Sequence, residues 1–213
     1  MHYITRIIDA GLGDWRITSV ENQDDLLKDV STDHDVEYFA YGLLLWPSAI
    51  GLAQYLCENH QLVKNKRVLE IGCGVGLAGL AACALGGEVI QTDYHAESLT
   101  LAKQNADQNG IKSIERIRAD WREFPDIGPF DLVLGSDVLY ERTMHGTLEV
   151  LLPNLIGLAG KLLLSDPMRP QALDFIQSVE SKDWSIESDS ILVDWEGARQ
   201  EIAVFKAEVQ SHR

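Results

Sequence analysis

The sequence predicts an α/β domain built on a doubly wound, mostly parallel sheet that ends in an antiparallel hairpin. Three observations carry that prediction. Short apolar runs alternate with helix-period segments from Lys66 to about Lys182, the pattern of parallel strands covered by helices on both faces. Two β-rich runs, residues 185–195 and 199–209, then follow each other across Glu196-Gly197-Ala198, too close for a crossover helix and so paired antiparallel. Finally, 213 residues with 46% hydrophobic and 24% charged side chains suit one globular domain that needs no staples.

In chain order, residues 3–8 and 15–20 flank Gly11-Leu12-Gly13 and read as a small N-terminal hairpin. Residues 21–37 carry seven acids (Glu21, Asp24, Asp25, Asp29, Asp33, Asp35, Glu37) against Lys28 alone. This stretch reads as an acidic loop, either solvated or a lip that draws in cationic substrates. Pro47 opens a helix to about Asn59 bearing Ile50, Leu52, Ala53 and Leu56, a lid-like element. Strands follow at 68–71, 88–92, 114–118, 131–135 and 161–165, with helices at 77–85, 96–109, 143–156 and 171–182. With the terminal hairpin these make seven strands. Residues 1–60 form the extension of this domain and 61–213 its core.

The balance of 33 acidic against 18 basic residues, a net charge of −15, repels phosphate backbones and argues against a nucleic-acid partner. Cys57, Cys73 and Cys83 are odd in number with no CxxC pair, which fits a reducing cytoplasm and indicates neither a disulfide framework nor zinc. The six histidines show no ligand spacing, and no apolar run is long enough to span a bilayer or act as a leader. A cytoplasmic monomer without a metal or membrane role is the expectation.

Chemistry concentrates where an apolar strand, Val68-Leu69-Glu70-Ile71, runs into Gly72-Cys73-Gly74-Val75-Gly76 and then a helix. Such a turn lets a ligand approach the backbone, and the helix start favours an anionic group. Two patterns overlap: Gly74, Gly76 and Gly79 satisfy the dinucleotide GxGxxG, and Glu70, Gly72, Gly74 and Gly76 satisfy the ExGxGxG of S-adenosylmethionine enzymes. Asp93 ends the next strand, where a carboxylate can accept from both ribose hydroxyls or simply cap the next helix. Asp120-Trp121 ends the third, placed to meet an adenine amino group and ring or to serve as another cap and a core aromatic. The fourth ends in Ser136-Asp137-Val138-Leu139-Tyr140.

VLEIGCGVG, TD, DW and GSDVLYE in this order, with LLLWPSA upstream, resemble the family 16 methyltransferases. These are Rossmann-like class I, seven-strand, S-adenosylmethionine-dependent enzymes that include many protein lysine methyltransferases. The resemblance spans about Gly42 to Ser165. It implies that Glu70, Gly72 and Gly74 line the methionine end of the cofactor, that Asp93 holds the ribose, and that Asp120 and Trp121 flank adenine. Trp46 would close over the cofactor; Cys73, Tyr94 and Ser136 count with these as cofactor-binding positions. Asp137 and Tyr140 would face the acceptor.

The residue types suit that chemistry. Methyl transfer from a sulfonium to an amine is an in-line displacement that needs alignment and a route for the amine's proton, since a lysine of pKa about 10.4 is otherwise protonated. Asp137 can orient the ammonium, Tyr140 can hydrogen-bond it, and Trp46 offers a cation–π face; the alternatives are a helix cap, a core aromatic and a packing residue before Pro47. The expected activity is N-methyl transfer to a protein lysine, the substrate being cationic or amine-bearing. The alternatives are a small-molecule amine methyltransferase, a NAD-dependent oxidoreductase suggested by GVGLAG, and a non-catalytic S-adenosylmethionine-binding module.

Overall fold

The computed structural model describes residues 1–27, 41–182 and 184–209. Strands β1 (Tyr3–Asp9) and β2 (Asp14–Val20) form the N-terminal antiparallel hairpin. The main sheet contains β3 (Arg67–Glu70), β4 (Glu88–Asp93), β5 (Glu115–Arg118), β6 (Phe130–Ser136), β7 (Ile156–Asp166), β8 (Trp184–Trp195) and β9 (Ala198–Val209). Its spatial order is β5-β4-β3-β6-β7-β9-β8. Strands β3 to β7 pair in parallel, and β9 runs antiparallel to both β7 and β8. The chain steps outward from β3 to β5, then returns to lay β6 on the other side of β3. That reversal opens a crevice beyond the carboxyl ends of β3 and β6, where ligands of such sheets bind.

Among the described residues, the α-helices are α1 (Gln23–Leu27), α2 (Pro47–Glu58), α3 (Leu77–Ala84), α4 (Ala96–Gln108), α5 (His145–Leu155) and α6 (Pro170–Glu180). The central strands are apolar at successive positions because both sheet faces are covered. Val68, Leu132 and Leu163 belong to a core with Leu52, Leu77, Leu80 and Leu101 on one face. Leu69, Val133 and Leu162 belong to the other, with Leu148, Phe175 and Val179. The N-terminal hairpin joins the first core through Ile17 and Val20. Asn105, fully buried on α4, fastens it: its side chain accepts from Thr18 N (2.8 Å) and donates to Thr18 O (3.0 Å) and Val75 O (2.9 Å).

Three expectations need correction. Helix α2 is no lid: Leu52, Ala53 and Leu56 are fully buried, and a Cβ on Gly51 would come within 3.0 Å of Ile202 Cγ2. A helix apolar nearly all round belongs inside. Strand β7 begins at Ile156 rather than near Lys161, through an irregular stretch with Ala159 at φ 62° and a register shift against β6; glycines there disguised the strand as a loop. Part of the acidic segment is helical, α1, and Asp25 on it is buried. Asp29, Asp33, Asp35 and Glu37 lie outside the described residues. No helix among the described residues is long and apolar enough to cross a membrane.

Candidate active site

The floor of the crevice is the turn after β3. Ile71 N donates to Leu134 O on β6 (2.9 Å) and Cys73 N to Thr92 O on β4 (2.9 Å), so both neighbouring strands hold the turn open. Gly72 and Gly74 adopt φ of 57° and 52°, left-handed values that glycine reaches without a Cβ clash. Space demands glycine as well. A Cβ on Gly72 would lie 3.0 Å from Val138 and 3.2 Å from Trp121, and one on Gly74 would lie 2.9 Å from the Gly42 carbonyl oxygen. The turn at Tyr41–Leu43 therefore rests directly on the glycine loop.

Carboxylates brace this backbone. Asp93, buried at the end of β4, accepts from Gly74 N and His95 N, each at 2.9 Å. It thus couples the loop to the start of α4 while still lining the cavity. Burial raises its pKa, opposed by those backbone donors. Glu70 sits behind the loop and not in the cavity wall: it accepts from Gly79 N (3.0 Å) and Gln91 Nε2 (2.8 Å), tying β3 to α3 and β4. Complete burial pushes it up to about 7, desolvation outweighing both hydrogen bonds. The structure makes Glu70 a support for the loop, where the resemblance implied a lining residue.

Beyond β4 and β5, Tyr94, Asp120 and Trp121 form one end of the cavity. Asp120 is held by Arg122 through Nε (2.9 Å) and Nη2 (2.7 Å), and that pairing keeps its carboxyl below the usual range. Arg118 and Arg122 stand 5.7 and 5.9 Å from the Tyr94 ring centroid, which fixes the ring as a flat wall.

On the other side of β3, β6 delivers Ser136 and Asp137. Asp137 takes φ 59°, a conformation that costs a non-glycine residue about 1 kcal/mol or more and recurs at functional positions. Its amide donates to Ser165 O on β7 (2.9 Å), and its carboxylate, only 8% exposed, pairs with Arg169. Tyr140 keeps 44% of its surface open, yet desolvation and then Glu141 push its phenol up to about 12, leaving it neutral at physiological pH. The Tyr41 ring meets Tyr140 edge-on at 5.7 Å and Trp46 at 6.4 Å, while Trp46 Nε1 donates to Tyr41 O (3.0 Å).

Apart from Glu70, every predicted site residue (Trp46, Gly72, Cys73, Gly74, Asp93, Tyr94, Asp120, Trp121, Ser136, Asp137 and Tyr140) lines this one cavity of about 480 Å³. Sequence reasoning missed Tyr41 and Gly42, which precede the recognisable LLLWPSA; a Tyr-Gly pair carries no local mark of what it will cover. It also missed Arg169. A second cavity of about 390 Å³ contains Arg6, Glu21 and Arg169 and shares Leu44, Trp46 and Asp137 with the first, so Asp137 stands in the wall between the two.

A family model described as lysine methyltransferase matches residues 28–182. Among curated relatives, the histone-arginine methyltransferase METTL23 of Xenopus laevis is 38% identical over 107 residues, 47% of this chain and 46% of that protein. The human METTL23 is 30% identical over 161 residues, 72% of this chain and 78% of its own length. The protein N-lysine methyltransferase METTL21A of Danio rerio is 32% identical over 129 residues, 57% of this chain and 59% of that protein. The chain spans about half the length of the first curated relatives it matches. Among solved structures, a ribosomal protein L11 methylase from Lactobacillus delbrueckii subsp. bulgaricus aligns with a TM-score of 0.56 and 26% identity, over 75% of this chain and 77% of its own. A glycopeptide N-methyltransferase complexed with sinefungin shares the fold at a TM-score of 0.62 and 14% identity, over 76% of this chain and 94% of its own.

Proposed function

The chain belongs to the lysine methyltransferase family, and from that premise we propose that it transfers a methyl group from S-adenosylmethionine to the terminal nitrogen of a protein lysine. The observation that carries the reading is the sharing of one cavity by a glycine cradle and by Asp137 and Tyr140. The residues fit the donor: a Cβ would fill the cradle at Gly72 or Gly74, the cavity volume is in the range of small-molecule sites, and Asp93 lines it with a carboxylate.

When bound, S-adenosylmethionine supplies an electrophilic methyl group on a sulfonium. The chain's residues do the rest. Asp93 has lone pairs left to accept from a ribose diol after receiving Gly74 N and His95 N. Tyr94 and Trp121 give flat apolar walls to a base, and Asp120, already paired with Arg122, accepts from its amino edge. On the other side Asp137 attracts the ammonium and one of its carboxylate oxygens takes the proton, freeing the nitrogen lone pair. Tyr140, neutral, aligns the nitrogen by hydrogen bonding. Tyr41 and Trp46 present electron-rich faces that favour positive charge and exclude water. The acidic surface, with its formal charge of −15, favours a basic protein segment as the acceptor.

A second reading, transfer to a protein arginine, is favoured by the histone-arginine methyltransferases among the relatives. One assay tests both. Tritiated S-adenosylmethionine is incubated with the full chain and mixed core histones or whole-cell protein, and the labelled product is hydrolysed to separate methyllysine from methylarginine. Asp137→Asn is expected to lower incorporation by about two orders of magnitude while S-adenosylhomocysteine affinity in calorimetry stays within about threefold. Full turnover in that variant, or no affinity for S-adenosylhomocysteine in the wild type, would overturn the proposal; label in methylarginine would replace lysine with arginine as the acceptor.

A further inference from the structure

The carboxylate expected to receive a cationic acceptor already holds a cation of the protein's own. Asp137 pairs with the guanidinium of Arg169, which also lies 3.4 Å, through Nη1, from Asp166 Oδ2. One positive group thus serves two carboxylates. Asp166 is fully buried at the end of β7, and its Oδ2, like Arg169 Nη1 and both carboxylate oxygens of Asp137, has no aligned hydrogen-bond partner among the described residues. A buried carboxylate oxygen left in that state is costly and attracts any donor within reach. The backbone beneath the guanidinium is anchored: Arg169 N donates to Asp166 Oδ1 (2.7 Å), Met168 holds φ 61°, and Arg169 opens helix α6. Only the side chain, 27% exposed and lining the second cavity, is free to change partner.

We infer that Arg169 is a built-in occupant of the acceptor site. It rests on Asp137 until an incoming lysine or arginine side chain displaces it, and it then moves onto Asp166. The inference rests on the reading of Asp137 as the acceptor-binding carboxylate. Three features point to it. The occupant is chemically the same kind of group as the acceptor. Asp137 forms the wall between the donor cavity and the cavity that contains Arg169. Asp166 supplies a second carboxylate for the displaced guanidinium, so that no charge is stranded in a buried place. Such an arrangement selects against neutral acceptors, which cannot replace a guanidinium on a carboxylate, and keeps Asp137 paired between turnovers.

The test uses the full chain labelled with ¹⁵N-arginine, at constant ionic strength, with and without S-adenosylhomocysteine. The probes are n-butylammonium and ethylguanidinium chlorides, the side-chain ends of lysine and arginine. The Arg169 Nε–H resonance, assigned by its loss in Arg169→Gln, is expected to shift saturably with either probe. Arg169→Gln should tighten probe binding about tenfold, the scale of one partly buried charged contact. Asp166→Asn, which removes the second resting place, should weaken it several-fold. Arg6→Gln, which removes a charge from the same cavity without touching Asp137, should change it less than twofold, separating displacement from a general field effect. If Arg169→Gln does not fold, Arg169→Lys should tighten binding by a smaller factor, because a lysine makes no forked contact. A resonance that stays still while probe binds, weaker binding in the Arg169 variants, or no binding to any variant would overturn the inference. Loss of S-adenosylhomocysteine binding would instead count against the methyl-donor reading, since the Arg169 resonance is followed without it as well.

Discussion

The two ends of the crevice are built differently. At the end we assign to the donor, charged side chains meet backbone amides or a near neighbour: Asp93 receives Gly74 N and His95 N, and Asp120 receives Arg122 two residues away. At the acceptor end, Asp137 depends on a guanidinium 32 residues later in the chain, at φ 59° and beside a second buried carboxylate. The donor end is a rigid mould in which carboxylates and a close-packed turn fix the backbone of the glycine loop. The acceptor end is a charge balance among side chains from two strand ends. A mould tolerates little added volume and responds weakly to salt; a charge balance does the reverse. Under the proposed function, that difference separates cofactor binding, which needs one shape, from acceptor binding, which must admit and release a charged side chain on every turnover.

The hardest blow to the mould is added volume at its centre. Gly74→Val puts a branched side chain where φ is 52° and where a Cβ alone would lie 2.9 Å from the Gly42 carbonyl oxygen. We expect S-adenosylhomocysteine affinity to fall more than about a hundredfold, beyond 2.7 kcal/mol, by isothermal calorimetry on protein whose circular dichroism is unchanged. Affinity within tenfold of wild type would mean that the loop yields, and the contrast with the acceptor end would be lost.

This asymmetry also governs what could be read from the sequence. Apolar runs located β3, β4, β6 and β7, because parallel strands covered on both faces are apolar throughout, with β7 shortened at its glycine-rich start; β5, Glu115-Arg116-Ile117-Arg118, was found from its place in the alternation, and β8 and β9 from the lack of room for a helix between them. The donor end was legible because its parts are adjacent in the chain or end consecutive strands: Gly72 and Gly74 follow β3, and Asp93 ends β4. Tyr41 and Gly42 were not, since their role arises only when that turn folds down on Gly74. Nor was the pairing of Arg169 with Asp137, which depends on β6 and β7 lying side by side. Helix α2 was misjudged as a lid, although Ile50, Leu52, Ala53 and Leu56 beside small Gly51 already described a helix with apolar contacts on most sides. Glu70 was legible as part of a motif, but whether it faced the cavity or the loop depended on Gly79 and Gln91.

Glu70 offers a test of rigidity at the donor end through pH. Its pKa is raised from 4.5 to about 7 by desolvation, so the folded state binds more protons than the unfolded state between those values. Stability contributed by this group is therefore full below about pH 4.5 and falls as pH rises through 7. Glu70→Gln keeps an acceptor for Gly79 N and Gln91 Nε2 and removes the titration. From pH 5 to pH 8 the wild type should lose on the order of 3 kcal/mol relative to the variant, read as the difference between their denaturation midpoints. A pH-independent difference would mean that Glu70 stays charged, with the loop loose enough to let water reach it.

The smallest effect belongs to the outer rim of the acceptor end. Glu21 and Glu196 line the second cavity, with side chains 42% and 61% exposed, and each has a basic partner, His2 for Glu21 and Arg6 for Glu196. Exposed pairs of this kind contribute about 0 to 1 kcal/mol, so their value lies in the field they present to an approaching basic segment. Reversing both to lysine should raise KM for core histones about two- to fivefold at 50 mM salt and leave kcat and S-adenosylhomocysteine affinity unchanged. At 0.5 M salt, where screening acts over only a few ångströms, the difference should vanish. An increase that persists at high salt would mean direct contact with the acceptor and move these residues from the rim into the site. No increase at low salt would confine electrostatic selection to Asp137, Asp166 and Arg169, leaving the acceptor end as sharply local as the donor end, but built from charge instead of backbone.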